Sequence, residues 1–132
     1  MALASRYLPS IEAGRRFDPD AASVPAARRH VAHLLEEADF AGDAGLVLLL
    51  ASELITNAVR HAETSFWVSA SVDGTQATVV VVDDDPDELP TVHRPGPDAT
   101  GGRGLLIVDQ MATAWGHHPE PHHGKAVWFT GG

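Results

Sequence analysis

The sequence predicts one two-layer α/β sandwich, and three observations lead there. A chain of 132 residues, 44% hydrophobic and 20% charged, can bury one core and has little room for a second. Two stretches with the apolar rhythm of amphipathic helices come first, followed by a hairpin, a third helical stretch and a second hairpin. That order puts helices in one layer and strands in another. Composition also excludes several functions. A net charge of −9 makes the chain a poor candidate for binding a polyphosphate backbone through bulk charge. With no cysteine there is no disulfide, thiolate zinc site or cysteine nucleophile. The longest apolar stretch, Gly45 to Ala51, runs straight into Ser52 and Glu53, too soon to span a bilayer. The opening MALASRYLPS holds no apolar segment of signal-peptide length, and no internal repeat is visible. A cytoplasmic protein with no membrane or direct nucleic-acid partner is expected.

The elements follow in order. Residues 1–22 lack a sustained period and read as an arm with room for one short strand. Ser23 is placed to cap a first helix with Val24, Ala27, Val31, Leu34, Leu35 and Ala38 on its apolar side; Pro25 falls in the first turn, where a missing N–H costs nothing. Gly42 is expected to end it, and Asp43 to cap a second helix reaching about Ala62. Phe66, Val68, Ala70 and Val72 alternate with polar or amphipathic neighbours as a half-buried strand. Asp73-Gly74 is a type I′ hairpin dipeptide, so Thr75 to Val82 should return as the partner strand. The run Val79 to Val82 is apolar on both faces and so belongs at the centre of the sheet, under helices. After an acidic, then Pro- and Gly-rich stretch from Asp83 to Gly102, a third helix spans about Gly104 to Ala114. Strands near Ala114–His117 and Lys125–Thr130 flank a last turn.

The second helix carries the chemistry. Glu53 is its only charged residue between Gly45 and Val59, and at about 100° per residue it shares a face with Asn57. A helix apolar nearly all round is expected to be buried. The pair then either opens into a cleft or makes structural hydrogen bonds to a neighbouring loop. Asp83 follows a buried strand directly and presents a carboxylate at the sheet edge, or simply turns the chain. In Thr100-Gly101-Gly102-Arg103-Gly104-Leu105-Leu106, glycines stand just ahead of a helix, whose first N–H groups suit an anion. Neither the P-loop pattern nor a dinucleotide-binding glycine fingerprint is present. His117, His118, His122 and His123 crowd a proline-containing turn, as an adventitious metal site or a solvated surface.

Taken in order, ASELITNAVRHA, VVDDDPDELP, GGRGLLIVDQMATAWG and GKAVWF resemble the histidine-kinase-like (GHKL, Bergerat-fold) ATPases, over about residues 17–130. The nearest branch resembles the anti-sigma-factor serine kinases and their actinobacterial ATP-binding regulatory relatives. The resemblance implies a mixed, mainly antiparallel sheet covered by helices on one face, with an N-terminal arm at 1–16 and the ATPase domain at 17–132. It implies ATP and Mg²⁺ as cofactors. Asn57 would hold the metal between phosphates, Glu53 would serve as catalytic base, and Asp83 would accept a hydrogen bond from the adenine amino group. Gly102, Arg103, Gly104 and Leu105 would lie beside the phosphates, under a lid at 90–101. The implied output is serine/threonine-protein kinase activity on an anti-anti-sigma (STAS-type) partner, with sequestration of a sigma factor and homodimers as in relatives.

Three features depart from that family's pattern. Acids, Asp85 and Asp87, replace both glycines of the first glycine box, and Asp83 to Glu88 carries five carboxylates in six residues. Ala126 stands where a threonine usually supports the adenine-binding aspartate, and the lid is short. These departures support the alternative, a non-catalytic protein-interaction module with a degenerate nucleotide site.

Overall fold

Three helices pack on one face of five strands in the computed structural model, which describes residues 14–61, 64–84, 103–120 and 124–132. In chain order these are β1 (Arg15–Phe17), α1 (Ser23–Glu37), α2 (Ala44–His61), β2 (Phe66–Asp73), β3 (Gln76–Asp83), α3 (Arg103–Met111), β4 (Ala114–Pro119) and β5 (Lys125–Gly131). The sheet order is β1-β2-β3-β5-β4. Every described pairing is antiparallel, so the expected admixture of parallel strands is not found among them. The valine-rich β3 is central, as its two apolar faces require. α1 lies over β1 and β2, α2 lies over β3 and β5, and α3 packs against α2 and β4.

Strand alternation divides the sheet. Phe66, Val68, Val79, Val81, Val127 and Phe129 point into the main core beneath the helices. On the other face Val80, Val82 and Ala126 form a smaller cluster, with Trp67 and Trp128 packed over it. The tryptophans therefore act as packing groups, which their strand positions predict. Among the described residues no helix is long and apolar enough to cross a membrane.

Local chemistry sets the element ends, in places differently from expectation. Ser23 is the first helical residue of α1 rather than its cap; Ala22 holds that position and no side chain caps the helix. Asp20 organises the entry instead, its Oδ1 accepting from the Ala22 N–H at 2.8 Å and its carbonyl from the Ser23 N–H at 3.0 Å. α1 also stops before Gly42. Asp39 adopts a left-handed conformation (φ 52°), the Asp39 N–H bonds to the Glu36 carbonyl, and the Phe40 N–H to the Leu35 carbonyl. That is a Schellman ending with aspartate in the place glycine usually takes. Gly42 serves a different need. A Cβ there would stand 2.5 Å from both the Phe40 ring and the Thr75 carbonyl oxygen, so only glycine lets this loop press onto the β2–β3 hairpin. Asp43 caps α2 as predicted, its Oδ1 accepting from the Leu46 N–H at 3.1 Å.

The β2–β3 turn is shifted by one residue. Asp73 pairs with Gln76, leaving Gly74-Thr75 as the two loop residues. Gly74 has φ 62°, and among the described non-glycine residues only Asp39 has positive φ. A type I′ turn needs positive φ at both loop positions; glycine alone at the first marks type II′. The dipeptide signal located the hairpin but misplaced its register.

At the sheet edge, the Phe17 ring stacks on Phe66 at 5.6 Å and lies 6.1 Å from His30 of α1. Among the described residues, the buried His30 Nε2 has no hydrogen-bond partner. Burial holds this imidazole below the ordinary 6.5, helped by the charges of Arg15 and His33, while a Val68 backbone hydrogen bond and Glu37 oppose the shift. The unfolded chain therefore takes up a proton near pH 6.5 that the folded chain resists. The His30 contribution to stability is present above pH 6.5 and lost as pH falls through the lower folded value. Urea unfolding at pH 7.5 and 5.5 checks this: His30→Gln should show a smaller loss on acidification than the wild type.

Candidate functional site

α2 buries Val47, Leu50, Ala51, Leu54, Ile55 and Ala58 against the sheet and its neighbouring helices. Glu53 and Asn57 sit one turn apart on the flank of that stripe, and both are half-buried. The expectation that the whole helix is buried is not met. Leu49, on the same flank, is 41% exposed, and Arg60 is exposed as well. A two-layer packing gives a helix partners below and at its sides but not above. The acid and amide are thus neither sealed into the core nor fully solvated, a placement that lets them meet a ligand.

The strongest electrostatic feature lies at the end of β3. Asp83 is directly opposite Lys125 of β5 in the antiparallel register, and only 3% and 5% of these residues is exposed. The Lys125 ammonium bridges the carboxylate, 3.0 Å from Oδ2 and 3.2 Å from Oδ1. The backbone around the pair is fixed too: the Gly124 N–H donates to the Asp83 carbonyl at 2.8 Å, and the Asp84 N–H to Thr64 Oγ1 at 3.1 Å. Both side chains belong to the alternating set, with Val81 and Val127, that faces the helices.

This geometry corrects the expectation attached to Ala126. Ala126 pairs with Val82 and is buried in the cluster on the opposite face of the sheet. A hydroxyl there would point away from Asp83. The position that reaches Asp83 is Lys125, which the reading of the sequence passed over. One signal was available: Lys125 shares the two-residue period of Val127 and Phe129, so it occupies a core-facing slot.

α3 begins at Arg103, immediately after the glycine-rich run. Leu105 is 4% exposed and its side chain belongs to the main core, so only its backbone N–H, in the first turn of α3, is suited to an anion. Gly102, the segment 90–101, Asp85 and Asp87 lie outside the described residues, as do His122 and His123. His118 pairs with Glu120 at 3.1 Å, and among the described residues no three His, Cys, Asp or Glu side chains converge as metal ligands. The fold therefore joins Asp83 to Lys125 directly, and sets α2, with Glu53 and Asn57, between β3–β5 and α3.

The donor chemistry fits a magnesium nucleotide. A half-buried amide oxygen is a hard ligand of the kind Mg²⁺ takes singly, with phosphate and water oxygens filling the remaining positions. A buried carboxylate supplies acceptors suited to an exocyclic amine. Comparison with known proteins agrees: residues 17–130 match the family model described as a histidine kinase-like ATPase domain. No curated protein matches the chain.

Proposed function

Because the chain belongs to the histidine kinase-like ATPase domain family, we propose that it binds ATP with Mg²⁺ and acts as a regulatory serine/threonine-protein kinase of the anti-sigma type. In this reading Asn57 holds the metal, Asp83 accepts from the adenine amino group, and the start of α3 at Arg103, Gly104 and Leu105 meets the phosphates. Bound nucleotide supplies the transferable phosphoryl group. Glu53 receives the proton from a partner serine or threonine hydroxyl, since phosphoryl transfer needs mainly positioning, charge neutralisation and a base near the acceptor. The partner is an anti-anti-sigma (STAS-type) protein, the sequestered target is a sigma factor, and the chain works as a homodimer in the cytoplasm.

One observation carries this reading: Glu53 and Asn57 stay half-buried and one turn apart on a helix whose neighbouring stripe is entirely core. Calorimetric titration with ATP, with and without Mg²⁺, tests it. Mg²⁺-dependent binding is expected, and Asn57→Ala should weaken it by at least the roughly tenfold that losing even an outer partner of a bound metal costs. With Mg·ATP and a STAS-type partner, phosphoserine should appear with the wild type and not with Glu53→Ala. Transfer retained by that variant removes Glu53 from the base role.

A specific observation also favours the second reading, a non-catalytic interaction module. Both oxygens of the Asp83 carboxylate already face an internal ammonium, in a site almost closed to solvent. Absence of ATP binding at any Mg²⁺ concentration would select it.

A further inference from the structure

We propose that His30 is a proton-operated latch on β1: the neutral imidazole seats the Phe17 ring and holds the strand in the sheet, and the imidazolium drives the strand off, baring the outer edge of β2. β1 is three residues long and pairs on one side only, so it is a strand that local opening can release without unfolding the rest. A few contacts hold it. Phe17 is its one buried side chain, stacked 5.6 Å from Phe66. Arg15 lies 5.4 Å from the centre of the same ring, and Arg16 donates to Ser65 Oγ at 2.8 Å on the exposed surface. His30 packs on Phe17 from α1, and a Val68 backbone hydrogen bond ties the imidazole to β2 directly opposite Arg15. The ring therefore sits where β1, β2 and α1 meet, away from the residues of the nucleotide reading.

Charge state decides whether it fits there. A neutral imidazole has one N–H and one bare nitrogen, and among the described residues Nε2 is the buried atom with no partner. Protonation makes both nitrogens donors. The Nε2 position then holds a buried N–H of a cation with no acceptor among the described residues, which burial penalises. It also places a second positive charge beside the Arg15 guanidinium, and His33, one turn along α1, adds to the repulsion. Glu37 and the Val68 bond oppose the shift, but Glu37 is already 2.7 Å from His33 Nε2 on the exposed surface. β2 presents Phe66 and Val68 on this face, neither of them titratable. Burial first, and these charges second, hold the imidazole below 6.5 while β1 is docked; once the strand leaves, the ring regains water and its ordinary value. Protons thus favour the released strand. Docking is at full strength above pH 6.5 and weakens as pH falls below it.

Native-state hydrogen exchange on the full chain tests the latch, read as protection factors so that the intrinsic pH dependence of exchange drops out. Between pH 7.5 and 5.5 the amides joining β1 to β2 should lose about three- to tenfold more protection than those joining β3 to β5, tenfold being what one proton of ordinary pKa 6.5 supplies by pH 5.5. The inner pairing serves as the control for general acid destabilisation. His30→Phe, a ring that stays neutral at either pH, should abolish the excess, and His30→Gln carries the same expectation should the phenylalanine variant fail to fold. The linkage runs both ways. Phe17→Ala, which frees the strand from its aromatic seat, should raise the His30 titration towards 6.5, followed through its ring-proton resonances. Equal loss at the two pairings in the wild type, or an excess that survives in the neutral variants, overturns the proposal. A His30 titration that Phe17→Ala leaves in place overturns it as well.

Discussion

Replacing Lys125 with alanine should lower the unfolding free energy by about 3–5 kcal/mol, which makes it one of the two most damaging single changes we expect in this domain. The cause is the charge left behind rather than the bridge removed. Two ions taken out of water lose hydration that their attraction only roughly repays, so a buried pair is a modest stabiliser compared with apolar residues. Deleting one partner leaves the other desolvated without the counter-ion that bridges it. Asp83 is 3% exposed at the end of the central strand, so its carboxylate is almost fully withdrawn from water. The double replacement Asp83→Leu/Lys125→Met should match the wild type or exceed it by up to about 4 kcal/mol, because it removes both charges together. Denaturant unfolding of the three proteins measures this directly. The stranded carboxyl sheds its charge by binding a proton, so the deficit of Lys125→Ala should shrink as pH falls. A loss below about 1 kcal/mol at neutral pH would mean that the pair behaves as a surface bridge, against the burial described.

The second large effect is expected at Phe66. This ring is fully buried, stacks on Phe17 of β1, and comes from β2, the strand that joins the edge of the sheet to its centre. Phe66→Ala should cost about 3–5 kcal/mol, combining lost burial with the cavity the rigid neighbours fail to fill. The structure adds a specific consequence. β1 is only three residues long and its pairing with β2 ends at Phe17 opposite Phe66, so the variant should also loosen this strand. Hydrogen exchange should show reduced protection at the β1 amides beyond that at the β3–β5 pairing. Phe66→Leu, which keeps most of the volume, should lose less on both measures. Uniform loss across the sheet would show that β1 is held by α1 rather than by the aromatic stack.

Much of this architecture is legible along the chain because its causes are local. The α2 cap at Asp43 lies within three residues of the N–H it satisfies. The alternation in Phe66 to Val72 and the double-faced run Val79 to Val82 depend only on the two-residue strand period. Errors arose where two local signals compete. Asp39 ended α1 ahead of Gly42 because a short polar side chain tolerates the left-handed conformation almost as well as glycine. Gly74 turned the hairpin with Thr75 rather than Asp73, since the strand pairing set the register and the dipeptide did not. The motif-bearing residues were equally readable: Glu53 and Asn57 share a flank by helical geometry alone.

What the amino-acid order determined by itself, then, is the set of elements, their buried faces and the family to which residues 17–130 belong. The partner of Asp83 needed the assembled sheet. Lys125 lies 42 positions away, and which of Lys125 and Ala126 reaches the carboxylate turns on the register between β3 and β5. A slip of one residue would send the lysine to the opposite face. The exposure of the α2 flank needed it too, because a helix apolar on nearly every side is covered only where the fold brings it a neighbour.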